Sequence, residues 1–415
     1  MKHLLHFVVI FMVAIQVQAQ EATKTVSMGA SYANQVFYKI STDQQSSLSI
    51  DAWDLAFLRT SSYDMGIRVN DAKGIEVYEA SNQASDWSNI DVSNESQWSI
   101  LYNSEVSWAD GAFMQGSATY GWGEYNSANH QVTGSIIFVL KYADGTFRKF
   151  FIENFYGAYT FKYSTWDDTN ATWSADEIVT LDNTENPNNF FNYYNLETNA
   201  AVSIAPAQDQ WDLTFTKFTT EYPSSEGPMP YTVTGVLQNP NLMVAERDEP
   251  NGQNNSVDLT YSEEINTIGY DWKSFGGSGY TVNSDKAFYV KYADETIYRL
   301  VFTSFEGSST GNIDFTTEDV TTTLGLEKIE NSFSFGLYPN PTRDGLVELV
   351  FDNAKASDYE VKVYNLTGQL MVSKKIGVSS QFAQTKLDVS DLSSGTYIVQ
   401  IITNNTQQTK KLIVQ

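Results

Sequence analysis

The chain has 415 residues, with 25 Lys+Arg against 50 Asp+Glu and a formal net charge of −25. That length holds two to four domains of about 100–200 residues rather than one small one, and the charge repels phosphate backbones, which argues against a nucleic-acid partner. Absence of cysteine removes disulfides, thiolate zinc sites, iron–sulfur clusters, cysteine nucleophiles and a lipidated N-terminal cysteine, while 14% aromatics amid many Gly, Asn, Ser and Thr favour β-rich domains over helical ones.

In chain order, residues 1–20 combine Lys2, an apolar run over 4–17 broken only by His6 and Gln16, and Val17-Gln18-Ala19 as a small-residue cleavage site. This is the layout of a Sec signal peptide. No later segment approaches the ~20 apolar residues of a spanning helix, so no transmembrane segment is expected.

The body that follows repeats itself. Residues 120–157 align with 270–307 at a constant offset of 150, matching Trp122 with Trp272 and Lys141-Tyr142-Ala143-Asp144 with Lys291-Tyr292-Ala293-Asp294. Thr146, Phe155 and Gly157 likewise match Thr296, Phe305 and Gly307. Upstream, Phe37-Tyr38-Lys39-Ile40 leads to Trp53-Asp54-Leu55-Ala56-Phe57, and Tyr193-Tyr194-Asn195-Leu196 leads to Trp211-Asp212-Leu213-Thr214-Phe215. A shared order of motifs at this spacing marks two homologous domains. The boundaries expected are 1–20 signal peptide, 21–180 first repeat, 181–328 second repeat and 329–415 tail domain, with a polar linker near 167–189. Within each repeat the alternation reads as strands, and Ala143-Asp144-Gly145 as a hairpin turn. Glu295 in place of Gly145 predicts a different turn geometry in the second copy. Asp54 and Asp212, beside strand tryptophans, read as acceptors for turn amides rather than as catalytic acids.

The Tyr-x-[Ile/Leu]-x-Thr strand, the Trp-Asp-Leu-x-Phe strand and the late Lys-Tyr-Ala-Asp hairpin resemble the HmuY haem-binding family in both repeats. The resemblance implies all-β domains with an antiparallel sheet and a haem cleft under loops, taking haem outside the cell to an outer-membrane receptor. Haem iron needs an axial His, Met, Tyr or Cys, and the chain after residue 20 has one histidine, His130, in a polar loop. Aromatic walls from Trp122 and Tyr125 precede it. Met65 and Met114 are loop methionines of the first repeat, so His130 with Met114 or Met65 with Met114 are the candidate pairs, His130 and Met114 being the metal ligands expected. The second repeat would have to use Met229 and Tyr280. The other reading is a non-metal adhesion module presenting Trp98, Trp108 and Trp122 to glycan or protein. No Gly-x-Ser-x-Gly, His-Glu-x-x-His, P-loop or Gly-x-Gly-x-x-Gly is present, and an enzyme is not expected.

The tail differs in charge: residues 331–415 carry a net +1, against −27 for 21–330. Its short alternating strands predict a small Ig-like β-sandwich. Tyr338-Pro339-Asn340-Pro341-Thr342, Val363-Tyr364-Asn365-Leu366-Thr367-Gly368, Leu392-Ser393-Ser394-Gly395-Thr396-Tyr397 and the terminal Lys410-Lys411-Leu412-Ile413-Val414 resemble the type A C-terminal sorting domain of type IX secretion, a Bacteroidetes system. That resemblance implies recognition by the secretion machinery and release or display at the cell surface.

Overall fold

The computed structural model describes residues 22–61, 64–183, 186–250, 259–321, 334–352, 357–378, 380, 382–403 and 407–415; the signal-peptide segment lies outside them. The chain divides into two units, Met1–Leu326 and Glu327–Gln415. Both are all-β with antiparallel strand pairing, and the helical pieces among the described residues are short 3-10 turns.

In the larger unit two lobes repeat one plan. The first has a sheet in the order Ala158–Asp167, Phe147–Phe155, Ile137–Lys141, Glu76–Ser81, with Glu177–Asp182 on the outer edge of Ala158–Asp167. The second runs Ala22–Ser27, Asn312–Asp319, Ile297–Phe305, Lys286–Lys291, Met243–Asp248. Glu177–Asp182 falls in the stretch read as a polar linker; its Ile178-Val179-Thr180-Leu181 run is strand-like, but it is short, sits among polar residues and buries only Leu181.

The repeats exchange strands. Asn34–Lys39 of the first repeat pairs with Leu213–Tyr222 of the second, Tyr38 opposite Leu213. Phe191–Asn195 of the second pairs with Leu55–Leu58 of the first, Tyr194 opposite Leu55. Ala22–Ser27 likewise closes the second lobe's sheet against Asn312–Asp319. The sequence boundary near residue 180 is therefore crossed in both directions. The cores agree: Leu181, Tyr194 and Leu196 pack with Leu55, Phe57 and Trp122, whereas Val26, Met28, Val36, Tyr38 and Ile40 pack with Leu213, Phe215 and Trp272. Between the lobes Phe37, Trp53, Tyr193, Trp211 and the partly buried Trp108 form one cluster, and Trp108 Nε1 donates to the Gln238 carbonyl at 2.9 Å.

A buried aspartate fastens each exchange. Asp54 is fully buried; it accepts from the Leu196 amide at 2.6 Å and pairs with Lys73 at 2.7 Å. Asp212, 1% exposed, accepts from the Ile40 amide at 2.8 Å, pairs with Lys39 at 2.7 Å and accepts from the Tyr292 hydroxyl. These carboxylates hold main-chain amides of the turn that follows each incoming strand, the structural role expected of them.

The two late hairpins turn alike, contrary to the sequence expectation. Gly145 has φ 89° and Glu295 φ 67°, and each amide donates to the carbonyl of the preceding Tyr, at 2.9 and 3.1 Å. Glu295 accepts the left-handed backbone that glycine takes freely, and a 2.6 Å pair with Lys291 partly offsets the cost. Glu295→Gly is expected to stabilise the second lobe by about 1 kcal/mol in a urea titration; a destabilised variant would show that the ion pair outweighs the strain.

In the smaller unit a sheet of Ser334–Tyr338, Leu346–Asp352 and Ala383–Asp388 and one of Leu370–Val378, Ser357–Asn365, Gly395–Ile402 and Gln407–Val414 share a core, compatible with an Ig-like sandwich. Its motifs have mechanical roles. Asn340 accepts from the Ile413 amide at 2.9 Å and donates to the Lys411 carbonyl at 2.7 Å, pinning the terminal strand. Asn365 Oδ1 accepts from the amides of Thr367 and Gln369, building the turn that Gly368 completes at φ 82°.

Candidate functional site

In the first lobe the hairpin Gly123–Asn126 and Gln131–Gly134 lies on Phe147–Phe155, Val132 opposite Phe155. Its turn is self-braced. Asn126 accepts from the Ala128 amide through its side chain and from the His130 amide through its carbonyl, at 2.9 and 2.8 Å, and His130 takes φ 59°. Phe147–Phe155 carries a β-bulge between Ile152 and Asn154, and the second lobe repeats it between Phe302 and Ser304. A bulge bends and twists its strand and re-aims the side chains beyond it, here Phe155 and Phe305.

These elements border a cavity of about 650 Å³ that is open to solvent on one side and lined by Met65, Tyr120, Tyr125, His130, Val132, Phe155, Tyr156 and Gly157. Small-molecule sites span about 300–1,000 Å³ with mostly apolar and aromatic walls. The fully buried Tyr159 donates to the Asp64 carbonyl at 3.1 Å and so fixes the backbone beside Met65. Tyr125 Oη lies 2.7 Å from His130 Nδ1. If Nδ1–H donates to that oxygen, Nε2 keeps its lone pair, the tautomer that a metal-ligating imidazole needs.

Of the residues singled out in the sequence, His130, Met65 and Tyr125 thus share one cavity. Met114 does not line it; it sits in the 3-10 turn Ala112–Gln115 and packs against the lobe core. Trp122 is fully buried in that core, so it is no wall of the cavity. In the second lobe Met229 and Tyr280 lie on different sheets. Met229 is 48% exposed opposite Tyr222, whereas the Tyr280 ring packs 4.7 Å from Phe305 and 5.1 Å from Phe275. Sequence reasoning missed Tyr120, Val132, Phe155, Tyr156 and Gly157 as site residues, although the match of Phe155 and Gly157 to Phe305 and Gly307 marked two of these positions.

The second lobe's equivalent region is chemically different. Lys273 stands where the first lobe has Gly123, its Nζ 4.2 Å from the Trp272 ring and 4.9 Å from that of Phe305. Burial pushes its ammonium down to about 7, against the opposing pull of Asp271. Tyr32, from the exchanged N-terminal arm, stacks on Phe305 at 6.1 Å, and burial, followed by Tyr280, pushes its hydroxyl up to about 12.

A second, shallower cleft of about 630 Å³ is lined by Tyr78, Glu95, Trp98 and Ile100 with Val92, Ser93 and Ser96. Among the described residues no group of three or more His, Asp or Glu is placed to hold a metal ion.

Residues 336–415 match the model of the secretion system C-terminal sorting domain. No curated protein matches the sequence. Among solved structures the chain aligns with dimeric latent PorU from Porphyromonas gingivalis at 11% identity and TM-score 0.18, over 94% of this chain and 34% of that one. It also aligns with the BSP domain of a biofilm-associated protein at 8% identity and TM-score 0.19, over 95% of this chain and 81% of that one. The chain therefore spans about a third of PorU. The type IX sorting domain assigns the protein to secretion or the cell surface and implies contact with the secretion machinery. No helix among the described residues is long and apolar enough to cross a membrane.

Proposed function

We propose that this exported protein is a non-enzymatic binding protein that takes haem or a related tetrapyrrole in the first-lobe cavity and passes it to an outer-membrane receptor. The observation that carries the reading is the convergence of His130, Met65 and Tyr125 on one aromatic-walled cavity. The donor set fits the group: an imidazole braced through Nδ1 and a thioether are both axial ligands of haem iron. His130 and Met65 would hold the iron, while Tyr120, Phe155 and Tyr156 would cover the macrocycle. With both axial positions filled by His130 and Met65, bound haem would be carried as a six-coordinate group, and the chain contributes binding and orientation. Met65 replaces Met114 as the partner of His130 in this proposal.

Haemin titrated into the full chain is expected to shift the Soret band at micromolar concentration, with His130→Ala weakening binding about tenfold or more, equivalent to about 1.4 kcal/mol. No spectral change at micromolar haemin overturns the reading. The adhesion reading keeps one specific support, the Trp98 cleft, where the rings of Trp98 and Tyr78 stand 6.1 Å apart beside Glu95. Trp122 is buried and Trp108 packs between the lobes, so neither is presented to a ligand.

A further inference from the structure

The lobes share a framework and differ where the cavity floor lies. Gly157 and Gly307 have the same left-handed φ, 71° and 72°, so the backbone beneath the two sites is alike. Nothing lies within 4 Å of the point where a Cβ on Gly157 would sit, whereas Tyr280 Cδ2 and Cε2 lie 3.6 Å from that point on Gly307. Tyr280 is the counterpart of His130 at the offset of 150. Its ring stands edge-on to Phe305, the counterpart of Phe155, with an interplanar angle of 73°. Tyr32 then stacks on the same Phe305 at 8°. Two aromatic side chains of the protein therefore occupy the place that the first lobe leaves open to a ligand.

We infer that the second lobe carries its own occupant: Tyr280, backed by Tyr32 of the exchanged arm, covers the site, so the duplicated protein has one ligand site and that site is in the first lobe. The tyrosine ring also identifies the ligand class. A flat ring laid over Gly157 against Phe155 makes the contacts that Tyr280 makes over Gly307 against Phe305. This inference rests on the first-lobe cavity being a ligand site, and it does not require iron.

The test is a reciprocal exchange in the full chain, His130→Tyr and Tyr280→His, each placing a residue that the same framework already holds in the other lobe. Two probes are used: haemin, read by absorbance, and p-cresol, the tyrosine side chain as a free molecule, read by saturation-transfer NMR. For p-cresol the expectation is one site in the parent, none in His130→Tyr and a second site in Tyr280→His; haemin is read in the parent and in Tyr280→His, because a tyrosine at 130 can itself ligate haem iron. A gained site that saturates at one equivalent in a variant with the parent's urea midpoint is a readout that misfolding does not produce. If haemin fails to bind while p-cresol follows this pattern, haem is not the ligand and the self-occlusion stands. Two p-cresol sites in the parent, or no additional site in Tyr280→His, overturn it.

Discussion

Deleting residues 22–49 from the full chain is expected to unfold the second lobe while the first stays folded. The deletion removes the strands that pair with Asn312–Asp319 and Leu213–Tyr222 and leaves both edges bare. It also withdraws Val26, Met28, Val36, Tyr38 and Ile40, each at most 5% exposed, from the core around Trp272. At about 1.5–3 kcal/mol for each large apolar side chain, the loss approaches or exceeds the 5–15 kcal/mol that holds a typical domain. Hydrogen exchange should show lost protection over 286–305 and retained protection over 137–163, and a synthetic 22–49 peptide added back should restore the former. Native protection over 286–305 without the peptide would show that the arm is dispensable. By the same reasoning a cut at residue 180 does not yield two folded halves, because each half keeps the strand that the other needs.

The second large effect is expected at the buried aspartates. Asp212→Ala leaves Lys39, the Ile40 amide and the Tyr292 hydroxyl without their acceptor; Asp54→Ala does the same to Lys73 and the Leu196 amide. Removing one partner of a buried pair costs about 3–5 kcal/mol, because the desolvated cation and donors stay behind. Glu95→Ala, which breaks a pair whose side chains are 33% and 31% exposed, is the control and should cost about 1 kcal/mol or less. Urea titration of the full chain separates these outcomes. Equal small effects for all three variants would mean that the aspartates do not fasten the exchanged strands.

The sequence made the β class, the sorting domain and the duplication legible because each is written locally: alternating strands, turn residues at fixed offsets and a repeat without gaps from 120 to 157. The exchange of strands was not legible, for a physical reason. Tyr38 and Tyr194 precede equivalent Trp-Asp-Leu strands, and Leu55 and Leu213 offer them the same register, so pattern alone cannot say which copy pairs with which. Tertiary neighbours decided the site. His130 and Met65 are 65 residues apart and meet only through the hairpin and the Asp64 backbone held by Tyr159. Loop-like composition around Met114 suggested exposure, yet the tight approach of Gly121, where a Cβ would come within 2.5 Å of the Met114 backbone, draws that turn against the core. Trp122, which looked like a cavity wall, is the counterpart of Trp272, and both rings are fully buried at the centres of their lobes.

Hydrogen exchange of the full chain with and without haemin decides whether the first lobe holds the ligand site. Protection is predicted over 120–132 and 155–157, with no change over 270–282 or 305–307. Protection confined to the second-lobe segments, or to 92–100 around Trp98, would contradict it.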